Sequence, residues 1–273
     1  MTRNPESEAH TPWRHDSQLT GVPGDTRGIR SSTRDRSCVM TRLLDNITWH
    51  TLSGPHAHFS AGSGAVRRYA RGYSAIVGFP QPQRPDFNAL ADFCDIDEQI
   101  YCPEWTGTAP EGWRIHIEKP AFRMVWQGPV PRADAFPGAV SLGPQHAAQA
   151  LELAQLTNPG PFGARTIELG DYVGWFEDGR LAAMAGERMR AGPYREVSGI
   201  CTHPDFRGRG LARRLTLKLI RRQLQRGETP FLHVMDDNTA ARGLYQDMGF
   251  VDYCETTLRV ISRSSRTRGP NDY

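Results

Sequence analysis

The run Arg207-Gly208-Arg209-Gly210-Leu211-Ala212 constrains the fold of this 273-residue chain more than any other. It follows a β-type run, Glu196-Val197-Ser198-Gly199-Ile200-Cys201-Thr202, and opens a helix-type run that continues to about Arg226. Glycine reaches backbone angles closed to other residues, so successive N–H groups can converge into an anion-binding nest. The partial positive charge of a helix N-terminus adds to that nest, and the product is a site for a di- or polyphosphate. Two familiar phosphate loops do not fit. A P-loop needs Gly-x-x-x-x-Gly-Lys-Ser/Thr, and no such run exists. A dinucleotide loop needs Gly-x-Gly-x-x-Gly, and Arg213 stands where the third glycine belongs.

The flanking residues narrow the choice. A strand ends at Pro204 in Ile200-Cys201-Thr202-His203-Pro204-Asp205-Phe206. Another strand, Phe231-Leu232-His233-Val234-Met235, precedes a helix-type run from Asn238 through Ala241, Leu244, Tyr245 and Met248 to Gly249-Phe250. This Asn…Ala…Leu-Tyr…Gly-Phe series resembles the last helix of the GNAT (general N-acetyltransferase) superfamily. Arg207, Gly210 and Ala212 likewise fill the Arg/Gln-x-x-Gly-x-Gly/Ala pyrophosphate loop of that family. The resemblance covers roughly residues 140 to 262. It implies an α+β fold with a mixed sheet, in which acetyl-CoA lies in a V-shaped splay between the fourth and fifth family strands. It also implies acetyl-CoA contacts from Ile200, Cys201, Thr202, Arg207, Gly208, Arg209, Gly210, Leu211, Ala212, Arg213, Asn238, Ala241 and Tyr245.

Transfer of an acetyl group to an amine requires that an ammonium lose its proton, an oxyanion be held and a thiolate leave. Glu196, at the start of the strand before the loop, occupies the place of a GNAT general base acting directly or through a water. A free carboxylate titrates near ~4.3, so burial must raise it for that work; otherwise it is an exposed strand-end glutamate. Glu187 on the preceding strand is the substitute. Tyr245 holds the place of the family tyrosine near the thioester sulfur and is the candidate acid, with packing in the stripe Ala241, Leu244, Tyr245, Met248 as its plain alternative. Asn238 reads as a helix N-cap, a role Asp237 could fill, and by resemblance as a contact to the pantetheine arm.

Along the chain, residues 1–42 and 263–273 are polar without apolar periodicity and read as disordered. Residues 43–128 read as a small α/β lobe that packs against the rest and shapes the acceptor site. Its strands are expected at Tyr73–Phe79, Trp113–Ile117 and Ala121–Trp126, with a helix over Asn88–Gln99. Pro129, Pro131 and Pro137 mark a linker. The unit 139–262 then begins with a helix near Pro144–Leu156 and a short helix at Thr166–Leu169. Tyr172–Glu177 and Arg180–Met189 form a hairpin around Asp178-Gly179, and a strand pair within Val251–Ile261 ends the unit. In the helix after the loop, Leu211, Leu215, Leu219, Ile220 and Leu224 form the core stripe. Arg213, Arg214, Lys218, Arg221, Arg222 and Arg226 then read as a solvated basic face.

Composition removes several function classes. A net charge of +3 with interspersed signs does not suit nucleic acid, and 31 Arg against 2 Lys reads as codon bias. No apolar run nears the ~20 residues that span a bilayer, and no signal-peptide apolar region is present. Five widely spaced cysteines (Cys38, Cys94, Cys102, Cys201, Cys254) read as reduced thiols of a cytoplasmic protein. Cys201 reads as a small buried strand residue, and His203-Pro204 as the strand-ending turn. His50, His56 and His58 cluster without carboxylate or thiol at ligand spacing, so no metal is expected. The sequence thus points to an acetyl-CoA-dependent N-acetyltransferase acting on a primary amine of a small molecule or protein. The competing reading is a non-catalytic acyl-CoA-binding module. Neither acceptor nor oligomeric state is written in a motif.

Overall fold

A computed structural model describes residues 43–264. The disorder expected over residues 1–42 and 265–273 lies outside the described residues. Arg263 does not join that tail, because it ends a strand and pairs with Trp113.

The first part of the chain forms helix α1 (Ile47–Ser53), strands β1 (Ser60–Gly62), β2 (Arg67–Tyr69) and β3 (Val77–Gly78), helix α2 (Phe87–Ala91), and strands β4 (Ile100–Pro103) and β5 (Trp113–Trp126). The second part forms β6 (Val140–Ser141), α3 (Ala147–Thr157), β7 (Tyr172–Glu177), β8 (Arg180–Ala191) and β9 (Tyr194–Thr202). It continues with α4 (Leu211–Gln225), β10 (Thr229–Met235), α5 (Thr239–Met248) and β11 (Phe250–Arg263). Strands β1 to β3 make a small antiparallel sheet, and the other eight make one mixed sheet ordered β4-β11-β5-β10-β9-β8-β7-β6. The single parallel neighbour pair in the large sheet is β9 with β10.

The large sheet crosses the boundary that composition suggests. Strand β5 belongs to the first part of the chain, yet it lies between β10 and β11, antiparallel to both. It is one strand of 14 residues, not two. Pro120 is tolerated within it because the β10 ladder ends at Ala121, so the missing N–H faces no strand; its carbonyl accepts from Asp236 N at 3.1 Å. Met124 and Trp126 then join the core formed with α4, β10, α5 and β11. The terminal strand pair expected within Val251–Ile261 is likewise a single 14-residue strand, β11, whose neighbouring position β5 has taken.

Local signals that need no distant partner match the elements closely. The hairpin turn has φ +50 at Asp178 and +77 at Gly179, which suits two positive-φ residues between twisted strands. The Thr166–Leu169 helix forms as a 3-10 turn. Helix α2 is shorter than its pattern. It stops at Ala91, and Glu98 turns back to pair with the buried Arg68 at 2.6 and 2.8 Å.

Helix α4 buries Leu211, Leu215, Leu219 and Ile220 against the sheet as its periodicity requires. Its basic residues are not simply solvated. Lys218 is buried and pairs with Asp134 while donating to Phe136 O at 3.1 Å. Arg221 donates to Pro131 O at 2.7 Å, and Arg214 stacks over the Phe136 ring at 3.7 Å. These contacts fasten the proline-rich linker along the helix.

Candidate active site

The loop ahead of α4 begins with a 3-10 turn at Pro204–Phe206, whose N-cap His203 accepts from Asp205 N at 3.2 Å through Nδ1. The chain then passes Gly208 at φ +76 and Gly210 at φ +69 before entering the helix at Leu211. Gly210 is the N-cap and carries no side-chain acceptor. The N–H groups of Leu211, Ala212 and Arg213 therefore lack an intrahelical partner, and they share one end of the helix dipole. A Cβ at Gly210 would meet nothing within 4 Å, so glycine is required there by its backbone angle and not by crowding within the protein. The side chain of Arg209 points away from any nest and forms a two-pronged pair with Glu177 at 2.9 and 3.0 Å.

Strands β9 and β10 pair only at Tyr194, Arg195 and Glu196 with Thr229, Pro230 and Phe231. Beyond Glu196 they separate, leaving the β10-facing edge of Val197 to Thr202 without a ladder. Two irregularities sharpen this opening. Strand β9 carries an extra residue between Ser198 and Cys201, where Gly199 takes φ +61; β8 carries one between Glu187 and Arg190. Such bulges re-aim side chains and free backbone groups from pairing.

A cavity of about 330 Å³ occupies the opening. One wall is Val197 to Ile200 of β9, with Asn238 and Tyr245 at the α5 end. The opposite wall comes from distant segments, including Thr48, Ile76, Tyr101, Ile117, Lys119 and Ala121. Tyr245 is buried, and burial, with a smaller contribution from Cys201, pushes its phenol up to about 12. Asn238 caps α5 by accepting from Ala241 N at 3.3 Å, whereas Asp237 pairs with Lys119. The structure thus brings Ile200, Asn238 and Tyr245 to one cavity. Cys201 is buried beside it, its thiol pushed up to about 11 by burial, and Thr202 and Ala241 are half-buried and do not line it.

Glu196 departs from the expectation of a raised carboxylate. It is fully buried, and burial alone would raise it. The Arg188 charge and hydrogen bonds from His233 and Arg188 outweigh burial and hold it at about 2. Both its oxygens are engaged, by Arg188 Nε at 3.0 Å, Arg188 Nη2 at 2.7 Å, Met189 N at 3.2 Å and His233 Nδ1 at 2.8 Å. It does not line the cavity. Glu187 is also buried, accepting from Gln223 Nε2 at 3.0 Å, Asp171 N at 3.3 Å and Arg226 at 2.5 Å.

Sequence reasoning missed a polar chain beneath the cavity. Glu104 pairs with Arg123; Arg123 Nε donates to His233 Nε2 at 3.0 Å; His233 Nδ1 meets Glu196, which holds Arg188. Arginine can only donate, so His233 keeps its proton on Nδ1 and is the neutral centre of the chain. Burial lowers its pKa, opposed in part by the Glu196 hydrogen bond. The one sequence signal was His233 itself, a polar residue within the otherwise apolar Phe231–Met235. The histidine cluster has a different use: His56 is buried, its Nδ1 lies 3.0 Å from Tyr69 Oη, and burial holds it at about 3. Among the described residues no group of three His, Cys, Asp or Glu side chains could hold a metal ion.

Comparison with known proteins gives these elements a family. A family model described as FR47-like protein matches residues 172–260, from β7 into β11. The N-alpha-acetyltransferase RimI of Mycobacterium tuberculosis is 40% identical over 82 residues, which are 29% of this chain and 51% of RimI. The chain thus spans about half the length of that curated relative. Among solved structures, a GNAT-family protein from Novosphingobium aromaticivorans is 38% identical, with a TM-score of 0.73 over 81% of this chain and 99% of that one. A GCN5-related N-acetyltransferase-like protein from Streptococcus suis, at 15% identity and a TM-score of 0.52, shares the fold over 85% of this chain and 99% of its own. With one relative 38% identical and matched along nearly its whole length, this chain belongs to the GNAT family of acetyltransferases.

Proposed function

We propose that the protein transfers an acetyl group from acetyl-CoA directly to a primary amine. The observation that carries this reading is the parting of β9 and β10 after three residue pairs, onto a cavity bounded by Tyr245. The residues present fit acetyl-CoA. Free first-turn N–H groups and two positive-φ glycines suit a diphosphate. The unladdered edge of β9 offers backbone groups to an extended amide-containing arm, and Asn238 stands at the same end. Bound there, acetyl-CoA supplies the activated acyl group.

The Tyr245 hydroxyl, with its pKa near about 12, is protonated at neutral pH. Full proton transfer to a thiolate of ordinary pKa, roughly 8.5, runs uphill, so Tyr245 acts mainly by donating a hydrogen bond as charge grows on sulfur. Glu196 and Glu187 have their oxygens occupied, so the acceptor loses its proton to water or enters as the free amine. Glu196 instead holds Arg188 and His233 in place. A cytoplasmic protein with a small-molecule or protein amine as acceptor is consistent with this chemistry.

The test is release of CoA thiol from acetyl-CoA across a panel of primary amines. Acetyl-CoA binding without thiol release on any amine, polypeptide N-termini included, would leave a non-catalytic acyl-CoA-binding module.

A further inference from the structure

The described lining of the cavity offers an ammonium no carboxylate. None of the described lining residues is Asp or Glu. The lining cations are Lys119, paired outward with Asp237, and Arg188. Arg188 sits in the β8 bulge, its side chain 10% exposed, with Nε and Nη2 bound to Glu196. Its remaining amino group, Nη1, has no hydrogen-bond partner among the described residues. His233 beside it is neutral. The Arg188–Glu196 pair brings no net charge, yet it offers the cavity a rigid donor of fixed direction.

We propose that the acceptor is a small α-amino acid, whose carboxylate is received by Arg188 Nη1 while its amine faces the β9 wall. The proposal rests on the acetyl-transfer reading and narrows its substrate class. A zwitterion carries its own counter-charge into a cavity that supplies none. A diamine or lysine side chain would instead bring an uncompensated cation among walls without a carboxylate. A polypeptide N-terminus presents a neutral carbonyl where the amino acid presents a carboxylate, and charge-assisted hydrogen bonds are the stronger kind.

The experiment compares three ligand series on the full-length protein with acetyl-CoA: small α-amino acids, their primary amides, and diamines of similar length. The expected result is kcat/KM for the acid above the amide by roughly ten- to a hundredfold, as one charge-assisted hydrogen bond would give, with the diamine poorest. In Arg188→Lys, which keeps a cation beside Glu196 but loses the fork, the acid-to-amide ratio should fall toward one, mainly through KM. An amide equal to or better than the acid overturns the proposal and favours a polypeptide N-terminus; a diamine as the best acceptor overturns it as well. The wild-type series decides these points even where the variant fails to fold. Calorimetry of the same ligands on the CoA-saturated protein separates the two readings. Acid-selective binding without turnover retains the amino-acid site and removes the transfer reading. Binding with no preference for the carboxylate overturns the amino-acid site whatever the turnover.

Discussion

The two walls of the cavity are made from different materials. The β9 wall and the glycine loop come from one stretch, Val197 to Arg213, and their features lie in the backbone: glycines at positive φ, a bulge, and helix N–H groups. The facing wall is gathered from α1, the β3–β4 region and β5, and it works through side chains such as Tyr101, Ile117 and Lys119. A backbone device depends on few residue identities and on local order, whereas a side-chain wall can be changed one residue at a time. On the acetyl-transfer reading proposed above, the backbone of the first holds the acyl donor, and the second, together with Arg188 of β8, bounds the place left for the acceptor.

The largest expected effect lies where the walls meet. Tyr245→Phe keeps the ring against Phe250, whose centroid is 6.0 Å away, and removes only the hydroxyl. Turnover should fall by roughly ten- to a thousandfold, while the melting temperature and acetyl-CoA affinity barely move. Wild-type turnover in this variant would reduce Tyr245 to a packing residue, and both walls would then serve binding alone.

The polar chain of Arg188, Glu196 and His233, on β8, β9 and β10, gives the next effect, in stability. Glu196 titrates near 2 in the folded protein against an ordinary 4.5. As pH falls, the unfolded chain takes up this proton first. The stabilisation is therefore complete above about 4.5 and is lost as pH falls through 2, to the extent of about 3 kcal/mol. The lowered pKa of His233 adds to the acid sensitivity, beginning below its ordinary value of 6.5. Urea melts across this range should show the slope in the wild type. Glu196→Gln should start less stable at neutral pH, because a buried Arg188 loses its partner, and should lack that acid slope. An unchanged slope would place the acid sensitivity elsewhere.

How much of this was legible follows the same division. The loop, the Asn238 cap, the Asp178-Gly179 turn and the Thr166–Leu169 helix are set by neighbours within a few residues, and a local pattern reports them. Threading of β5 between β10 and β11 depends on pairing across more than a hundred residues, and alternation marks a strand without naming its neighbours. Lys218 shows the same limit: its helical position looked solvated because Asp134, on the linker, was invisible to periodicity. Glu196 was found at the right strand position, but its chemistry is decided by Arg188 and His233, which lie on separate neighbouring strands. Burial alone would have given the opposite sign.

Within the glycine loop, Gly210→Ala and Gly210→Val measure the backbone device. A side chain at φ +69 costs about 1–2 kcal/mol, more when β-branched, although the space around it is open. Calorimetry should show acetyl-CoA affinity falling by roughly tenfold for alanine and further for valine, as the loop relaxes away from the angle that gathers its N–H groups. Equal affinity in wild type and valine variant would mean that the diphosphate does not rest on this turn.

The smallest effect is the sharpest control on the comparison. Arg209 lies in the middle of the loop and would be the obvious cation for a phosphate. Its guanidinium is already held by both oxygens of Glu177, at the half-buried end of β7, and its Cζ lies 5.7 Å from the centre of the Phe206 ring. An exposed pair of this kind contributes little to folding. Arg209→Ala should therefore leave the melting temperature nearly unchanged and acetyl-CoA affinity within about twofold at physiological salt, where distant surface charges are screened. Arg207 and Arg213 show no side-chain partner among the described residues, so a salt-dependent part of the affinity, if present, should follow them and not Arg209. If Arg209→Ala weakened acetyl-CoA as much as Gly210→Val, side-chain charge would be the holder of the diphosphate. The two walls would then differ in what they bind and not in how they are built.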